Sequence, residues 1–345
     1  MNEVKTPCSP DPVKDKENRR AWKAAVAEFQ KPSLVRGIWQ LMNSVGCYGL
    51  LWLLMYLTIG VSIWLTLGLA ILAGGFLLRI FIISHDCGHG SFFASKRANT
   101  IVGFITGTLT FTPYQQWRWD HARHHATSGD LDKRGIGDIW TMTVREYLDS
   151  SRWKRFRYRV ARHPVTLVVI APFFLFLVMQ RFSKREAEMS VRVSVYWTNL
   201  CLALMIGALG WLFGWQNYLL IQFVITAVSG SAGVWLFYMQ HNFEDAYWVR
   251  GDDWDFVDAA LDGSSFYRLP KVLQWFSGNI GFHHIHHLSA RIPNYNLESC
   301  HKATPLFQEV KSITLWSSLR CFGCHLWDEE SGRIVGFRHL RSLRT

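Results

Sequence analysis

The sequence predicts an all-α integral membrane protein. Four transmembrane helices form two hairpins, joined by interfacial or re-entrant helices and topped by a cytosolic helical cap that carries clustered histidines. Three observations predict this. Long apolar blocks alternate with polar, basic ones. The two shortest links between apolar segments contain no Lys or Arg. Ten of the 14 histidines gather in four places at or just beyond the ends of apolar segments. The totals agree: 49% of the 345 residues are hydrophobic, and 17 Trp are more than a soluble chain of this length ordinarily carries.

Residues 1–40 are polar and mix acids with bases, as in "DPVKDKENRR", so they read as a cytosolic N-terminal segment and not as a cleavable signal or an acid-poor transit peptide. A membrane domain follows over 41–300. From Val45 to Ile83 the chain is almost wholly apolar for 39 residues. One helix of that length would measure roughly 58 Å against a hydrocarbon core of ~30 Å, so two spans are expected, turning at "LTIGVS" (57–62). Arg79 lies near the end of the second span, where it can snorkel to the interface. Segments 191–213 and 217–240, linked by "GWQ", read as the second hairpin.

Charge sets the topology. The hairpin tips at 58–62 and 214–216 hold none of the 37 basic residues, so both face outward and the remaining loops face the cytosol. The run "HPVTLVVIAPFFLFLVMQ" (163–180) has basic clusters on both flanks, "RWKRFRYRVAR" before it and "RFSKR" after it. It reads as an interfacial or re-entrant helix, because a fifth crossing would put the early and late histidines on opposite sides. Residues 241–345 carry no span and read as a cap, with 301–345 as a cytosolic tail.

A net charge of +11 would suit nucleic acid or an anionic membrane. The basic run 152–162 borders an apolar run, so it reads as a membrane-surface segment that partners anionic headgroups or an acidic electron donor. Seven scattered cysteines (8, 47, 87, 201, 300, 321, 324) make no disulfide framework. "CFGCH" (321–325) fits the haem-attachment pattern, but that attachment occurs on the outer face and this segment reads as cytosolic.

The chemistry lies in the histidines. "HDCGH" supplies His85 and His89, "HARHH" supplies His121, His124 and His125, "QHN" supplies His241, and "HHIHH" supplies His283, His284, His286 and His287. Residues three and four apart share a helix face, so each cluster can aim its imidazoles at one point. So many imidazoles exceed what one ion takes, and two metals of five- or six-coordinate character suit the count. Imidazole alone suits iron, copper, nickel or zinc. His163, His301, His325 and His339 are isolated and read as ordinary histidines. A metal transporter or sensor would put ionisable groups in mid-membrane, whereas these histidines sit at span ends or beyond.

"HDCGHGSFF", "HARHH" and "GFHHIHHLSARIPNYNL" resemble the three histidine boxes of the integral-membrane fatty acid desaturases, over roughly residues 40–300. Among these the chain is most similar to bacterial acyl-lipid enzymes of the delta-12 (omega-6) type. The resemblance implies a non-haem di-iron centre that uses O2 to put a cis double bond into a lipid acyl chain, on a monounsaturated chain for that type. It implies His85, His89, His121, His124, His125, His283, His286 and His287 as ligands, with His284 the spare. His241 stands where the acyl-CoA desaturases have a ninth histidine ligand. Those enzymes also carry an asparagine four residues earlier, and Phe237 stands at that position here. Ligating histidines need acceptors for their second N–H, and Asp86, Asp120 and Asp138 are the candidates. No ferredoxin-like or haem-binding segment is evident, so a separate electron donor is expected, ferredoxin by family. The nearest competing reading is a histidine-box hydroxylase or ketolase of a lipid, alkane or carotenoid.

Overall fold

The fold is described from a computed structural model that covers residues 22–135 and 137–344. Cys8 and the first part of the expected N-terminal segment lie outside the described residues. Four helices are long and apolar enough to cross a membrane: span one (Leu34–Thr58), span two (Ile63–His89), span three (Met189–Phe213) and span four (Trp215–His241). They form the two expected hairpins. Ser62 caps span two through the amide of Leu65, and Gly214, at φ +77°, is the whole link between spans three and four. Only glycine takes that left-handed conformation readily, which lets the chain reverse in one residue.

The hairpins are held to each other by close packing. A Cβ on Gly74 would lie 2.6 Å from Val228, so spans two and four approach more closely than any side chain at that position would allow. Toward the hairpin tips the Trp52 ring sits 5.1 Å from Phe213 and 6.0 Å from Tyr218, which ties the first hairpin to the tip of the second. The helix Lys96–Leu109 lies against span two, where Ser84 Oγ donates to Gly103 O at 3.0 Å, and the next helix, Tyr114–Thr127, is tied to the same span by Tyr114 Oη donating to Cys87 O at 2.7 Å.

Spans one, two and four depart in their limits from the hydropathy reading. Span one begins at Leu34, and spans two and four continue to His89 and His241. Their last turns are helical although no longer apolar, and span two stops only where Gly90 takes φ +71°. The chain bends sharply as it enters the run 163–180. Helix Arg152–Ala161 and helix Thr166–Arg181 meet at a 65° bend.

The cap is mainly short helices, with two small sheets that sequence periodicity did not reveal. β1 (Met142–Thr143) pairs with β4 (Leu326–Asp328), which pairs with β5 (Arg333–Val335). β2 (Phe266–Arg268) pairs with β3 (Ser312–Thr314). Strands of two or three residues carry no readable alternation, but these tie the C-terminal segment into the cap. Arg79 is buried instead of snorkelling outward: its guanidinium lies 3.9 Å over the Trp275 ring and donates to the Trp275 carbonyl.

Candidate metal centre

Four elements bring imidazoles to one place. His85 and His89 occupy the last two turns of span two, and His241 is the final residue of span four. His121, His124 and His125 lie on helix Tyr114–Thr127, and His283, His286 and His287 lie on helix His283–Leu288. The last helix is set by a tight loop: Gly278 and Asn279 both have positive φ, and a Cβ on Gly281 would sit 2.4 Å from the Tyr267 carbonyl.

The imidazoles sort into two groups. His85, His89, His121 and His286 form one, and His124, His241, His283 and His287 form the other, the ligand atoms of each lying within 4.8 Å of one another. His125 joins the first, with its Nε2 3.1 Å from that of His121 and 3.0 Å from that of His286. Adjacent residues on one helix, His124 and His125, therefore serve different groups. Within the second group, His241 Nε2 lies 3.2 Å from His124 Nε2 and 2.9 Å from His283 Nε2.

Hydrogen bonds fix the tautomers. His85 Nδ1 faces Asp86 Oδ1 at 2.9 Å, His124 Nδ1 faces Asp138 Oδ1 at 2.6 Å, and His241 Nδ1 faces the Gly263 carbonyl at 3.2 Å. In each case Nδ1 carries the proton and donates, leaving a bare lone pair on Nε2. The Nε2 atoms of His124 and His241 thus point lone pair at lone pair, an arrangement that repels unless a cation sits between them. The Nε2 of His89 is buried with no hydrogen-bond partner. Nitrogens ~3 Å apart around a cation held at ~2.1 Å subtend about 90°, as in five- or six-coordinate geometry, and less than the angle of a tetrahedral zinc site. The donor set fits a pair of metal ions.

The electrostatics agree. Burial holds His121, His125, His283, His286 and His287 well below the usual imidazole range, and neighbouring imidazoles push each further down. These side chains are neutral at pH 7, the state in which imidazole binds metal.

Other expected residues fall differently. Asp86 is tied on its far side, its Oδ2 accepting from the Asn294 amide at 2.7 Å and from Asn294 Nδ2 at 2.8 Å. Asp120 pairs with Lys184 Nζ at 2.5 Å and not with a histidine. His284 turns away from both groups, its Nε2 3.1 Å from the Phe307 carbonyl. His163, His301, His325 and His339 belong to neither group. Asn294 and the Gly263 carbonyl were not singled out from sequence. Asn294 sits in the quoted "IPNYNL", but nothing local marks its tie to Asp86.

Residues 62–316 match the family model described as "Fatty acid desaturase". The chain is 48% identical over 318 residues to a Bacillus subtilis (strain 168) protein named "Fatty acid desaturase", covering 92% of this chain and 90% of the relative. The chain belongs to the fatty acid desaturase family. It is also similar, at 27% identity over 90% of its length and 89% of the relative's, to a Nostoc sp. (strain 36) "sn-1 acyl-lipid omega-3 desaturase (ferredoxin)". A Synechocystis sp. (strain ATCC 27184 / PCC 6803 / Kazusa) "sn-1 oleoyl-lipid 12-desaturase" is 25% identical over 84% of this chain and 81% of its own length. This desaturase is therefore an oxidoreductase with two histidine groups at one end of its membrane helices. Beside them its Phe237 ring packs 5.1 Å from His124 and 5.2 Å from His241, and lines a cavity of about 20 Å³ together with Asp138 and His241. That volume suffices for a single water.

Proposed function

We propose that this desaturase uses O2 and a pair of irons to remove two hydrogens from neighbouring methylenes of a membrane-lipid acyl chain, leaving a cis double bond. O2 takes up the two hydrogens together with two electrons and two protons from outside, and leaves as two waters. The observation that carries this reading is the sorting of nine imidazoles into two groups, with the Nε2 lone pairs of His85, His124 and His241 turned inward by their Nδ1 hydrogen bonds. The proposed ligands are His85, His89, His121, His125 and His286 for one iron and His124, His241, His283 and His287 for the other. Two irons held there would supply the oxidant that an unactivated methylene requires.

The chain's own residues act by positioning. Asp86, Asp138 and the Gly263 carbonyl hold His85, His124 and His241 in the tautomer that presents Nε2. Phe237 and Trp117, whose ring stacks 4.4 Å from His121, give the groups apolar walls that limit water. Because His85, His89 and His241 end membrane spans, an acyl chain can reach the site from the bilayer without passing through water. The basic-free tips support a bacterial inner-membrane orientation with the histidines and both termini on the cytoplasmic side. The relatives named with ferredoxin support a ferredoxin donor. Both 12- and omega-3 desaturases occur among the relatives at about the same identity, so delta-12 placement rests on the sequence motifs, and product analysis reads it directly.

The test is expression in a host that makes only saturated and monounsaturated lipids, with analysis of the fatty acids and of iron in the purified protein. New double bonds in lipid-bound chains are expected, at the twelfth carbon of a monounsaturated chain if the motif reading holds. His124→Ala should abolish them and lower bound iron, since ligands act as a unit. Hydroxylated chains as the main product, or iron content unchanged in His124→Ala, would overturn the proposal.

A further inference from the structure

Helix Arg152–Ala161 has one face buried and one that nothing in the protein covers. The buried face is anchored. Tyr158 is fully buried, accepts from the Met142 amide at 3.2 Å and donates to the His325 carbonyl. Just past the helix, buried Arg162 donates to Asn242 Oδ1 at 2.6 Å and to the Cys324 carbonyl at 2.8 Å. The opposite face carries Trp153, Phe156 and Val160, spaced three and four apart and therefore aligned, with exposures of 66%, 55% and 44%. Trp153 and Phe156 stack on each other at 5.5 Å.

Charges flank this apolar stripe. Arg152, Lys154 and Arg157 are exposed, and the helix contains no acid. Among the described residues none of the three has a carboxylate partner. Nearby Asp149 lies 4.0 Å from Arg145, and Glu146 is engaged by Arg134 and Arg250. Beyond the 65° bend, the arm Thr166–Arg181 also exposes apolar side chains, Val169, Ile170, Phe174 and Leu177, and packs its other side on span four so closely that a Cβ on Gly230 would lie 2.9 Å from Pro172.

We propose that helix Arg152–Ala161 lies in the membrane surface and docks on anionic phospholipid headgroups, with Trp153, Phe156 and Val160 inserted at the acyl boundary and Arg152, Lys154 and Arg157 on phosphates. A cationic flank on a Trp/Phe/Val stripe is the pattern of an interfacial helix. An acidic soluble protein would match the charges but leave the stripe in water, whereas the lipid surface covers both. The adjoining lipid-facing arm places the stripe at that surface. Through Arg162 and Asn242 the docked helix is braced against the segment that carries His241.

The test uses the full-length protein in nanodiscs of phosphatidylcholine alone or with about a third phosphatidylglycerol, with hydrogen exchange of peptides spanning 150–162 as the readout. Each cation near an anionic surface strengthens attachment roughly fivefold, so three give about a hundredfold. Exchange is expected to slow at least about tenfold in the anionic discs, and the difference should fade near 1 M salt, where screening reaches ~3 Å. The variant R152Q/K154Q/R157Q should lose the lipid dependence. W153S/F156S should lose protection in both lipids, and both variants should keep wild-type metal content as a check on folding. Equal exchange in both kinds of disc, or protection that appears only when an acidic ferredoxin is added, would overturn the proposal.

Discussion

Asp86→Asn gives the sharpest test of how the site is held. The Asp86 side chain is buried, and both its oxygens are in use as acceptors: Oδ1 for His85 Nδ1, Oδ2 for two N–H groups of Asn294. An amide of the same shape has one oxygen and one NH2. Turned one way, its NH2 meets two donors from Asn294, leaving buried donors unsatisfied at about 1–3 kcal/mol each. Turned the other way, its NH2 meets His85 Nδ1, and His85 must move its proton to Nε2, withdrawing its lone pair from the first histidine group. Either outcome should weaken metal binding by roughly 10- to 100-fold. The assay is anaerobic iron titration of the purified protein, reading bound metal and the half-loading concentration, with thermal unfolding alongside. Asp120→Asn is the control. It removes only the partly exposed pair with Lys184, worth up to about 1 kcal/mol, and should leave iron loading unchanged. If Asp86→Asn loads iron within about twofold of wild type and unfolds at the same temperature, the tautomer argument is wrong.

Two further outcomes follow from packing and charge. Gly103→Ala puts a methyl 2.2 Å from the Tyr114 ring, so Tyr114 must move and strain its bond to the Cys87 carbonyl. A loss of about 1–3 kcal/mol is expected in thermal unfolding, partly recovered in Gly103→Ala/Tyr114→Leu, and an unchanged midpoint for the single variant would contradict the close packing. Hydrogen bonds from Lys271 and Lys302 hold the Glu298 carboxyl down at about 2, below its ordinary 4.5. A depressed carboxylate stabilises the fold above its unfolded value, and that contribution is lost as pH falls toward its folded one. Unfolding followed from pH 5 to 2 should therefore show a steeper loss in wild type than in Glu298→Gln, and parallel curves would remove Glu298 from the account.

What could be read in advance depended on range. Hydropathy alone located both hairpins, and spacings of three and four grouped the histidines by helix. Hydropathy could not place the ends of spans two and four, because His85, His89 and His241 continue the helices after the apolar residues stop. Spacing also could not say which imidazoles share a metal. His124 and His125 are neighbours in sequence yet join opposite groups, and that division is set by how helix Tyr114–Thr127 crosses the spans. The three candidate acids looked alike beside their histidines. What separates Asp86 from Asp120 is a distant partner, Asn294 for one and Lys184 for the other. The short strands were invisible for the same reason, since Met142 finds Leu326 only after the cap has folded.

Spans two and four are rigid rods of 27 residues, each ~40 Å long, with imidazoles fixed to their tips. A helix that answers a change in bilayer thickness by leaning about 5° sweeps its far end through roughly 3–4 Å. Each rod's imidazoles must meet those of other helices at their ion to within about 0.5 Å. The two rods therefore cannot lean independently of the rest of the frame, and the contact of Gly74 with Val228, together with the seat of Arg79 on Trp275, ties them into it. A mismatch between this protein and its membrane has to be met by the whole frame tilting as one body or by the surrounding lipids stretching or compressing around it, and not by one span shifting against another.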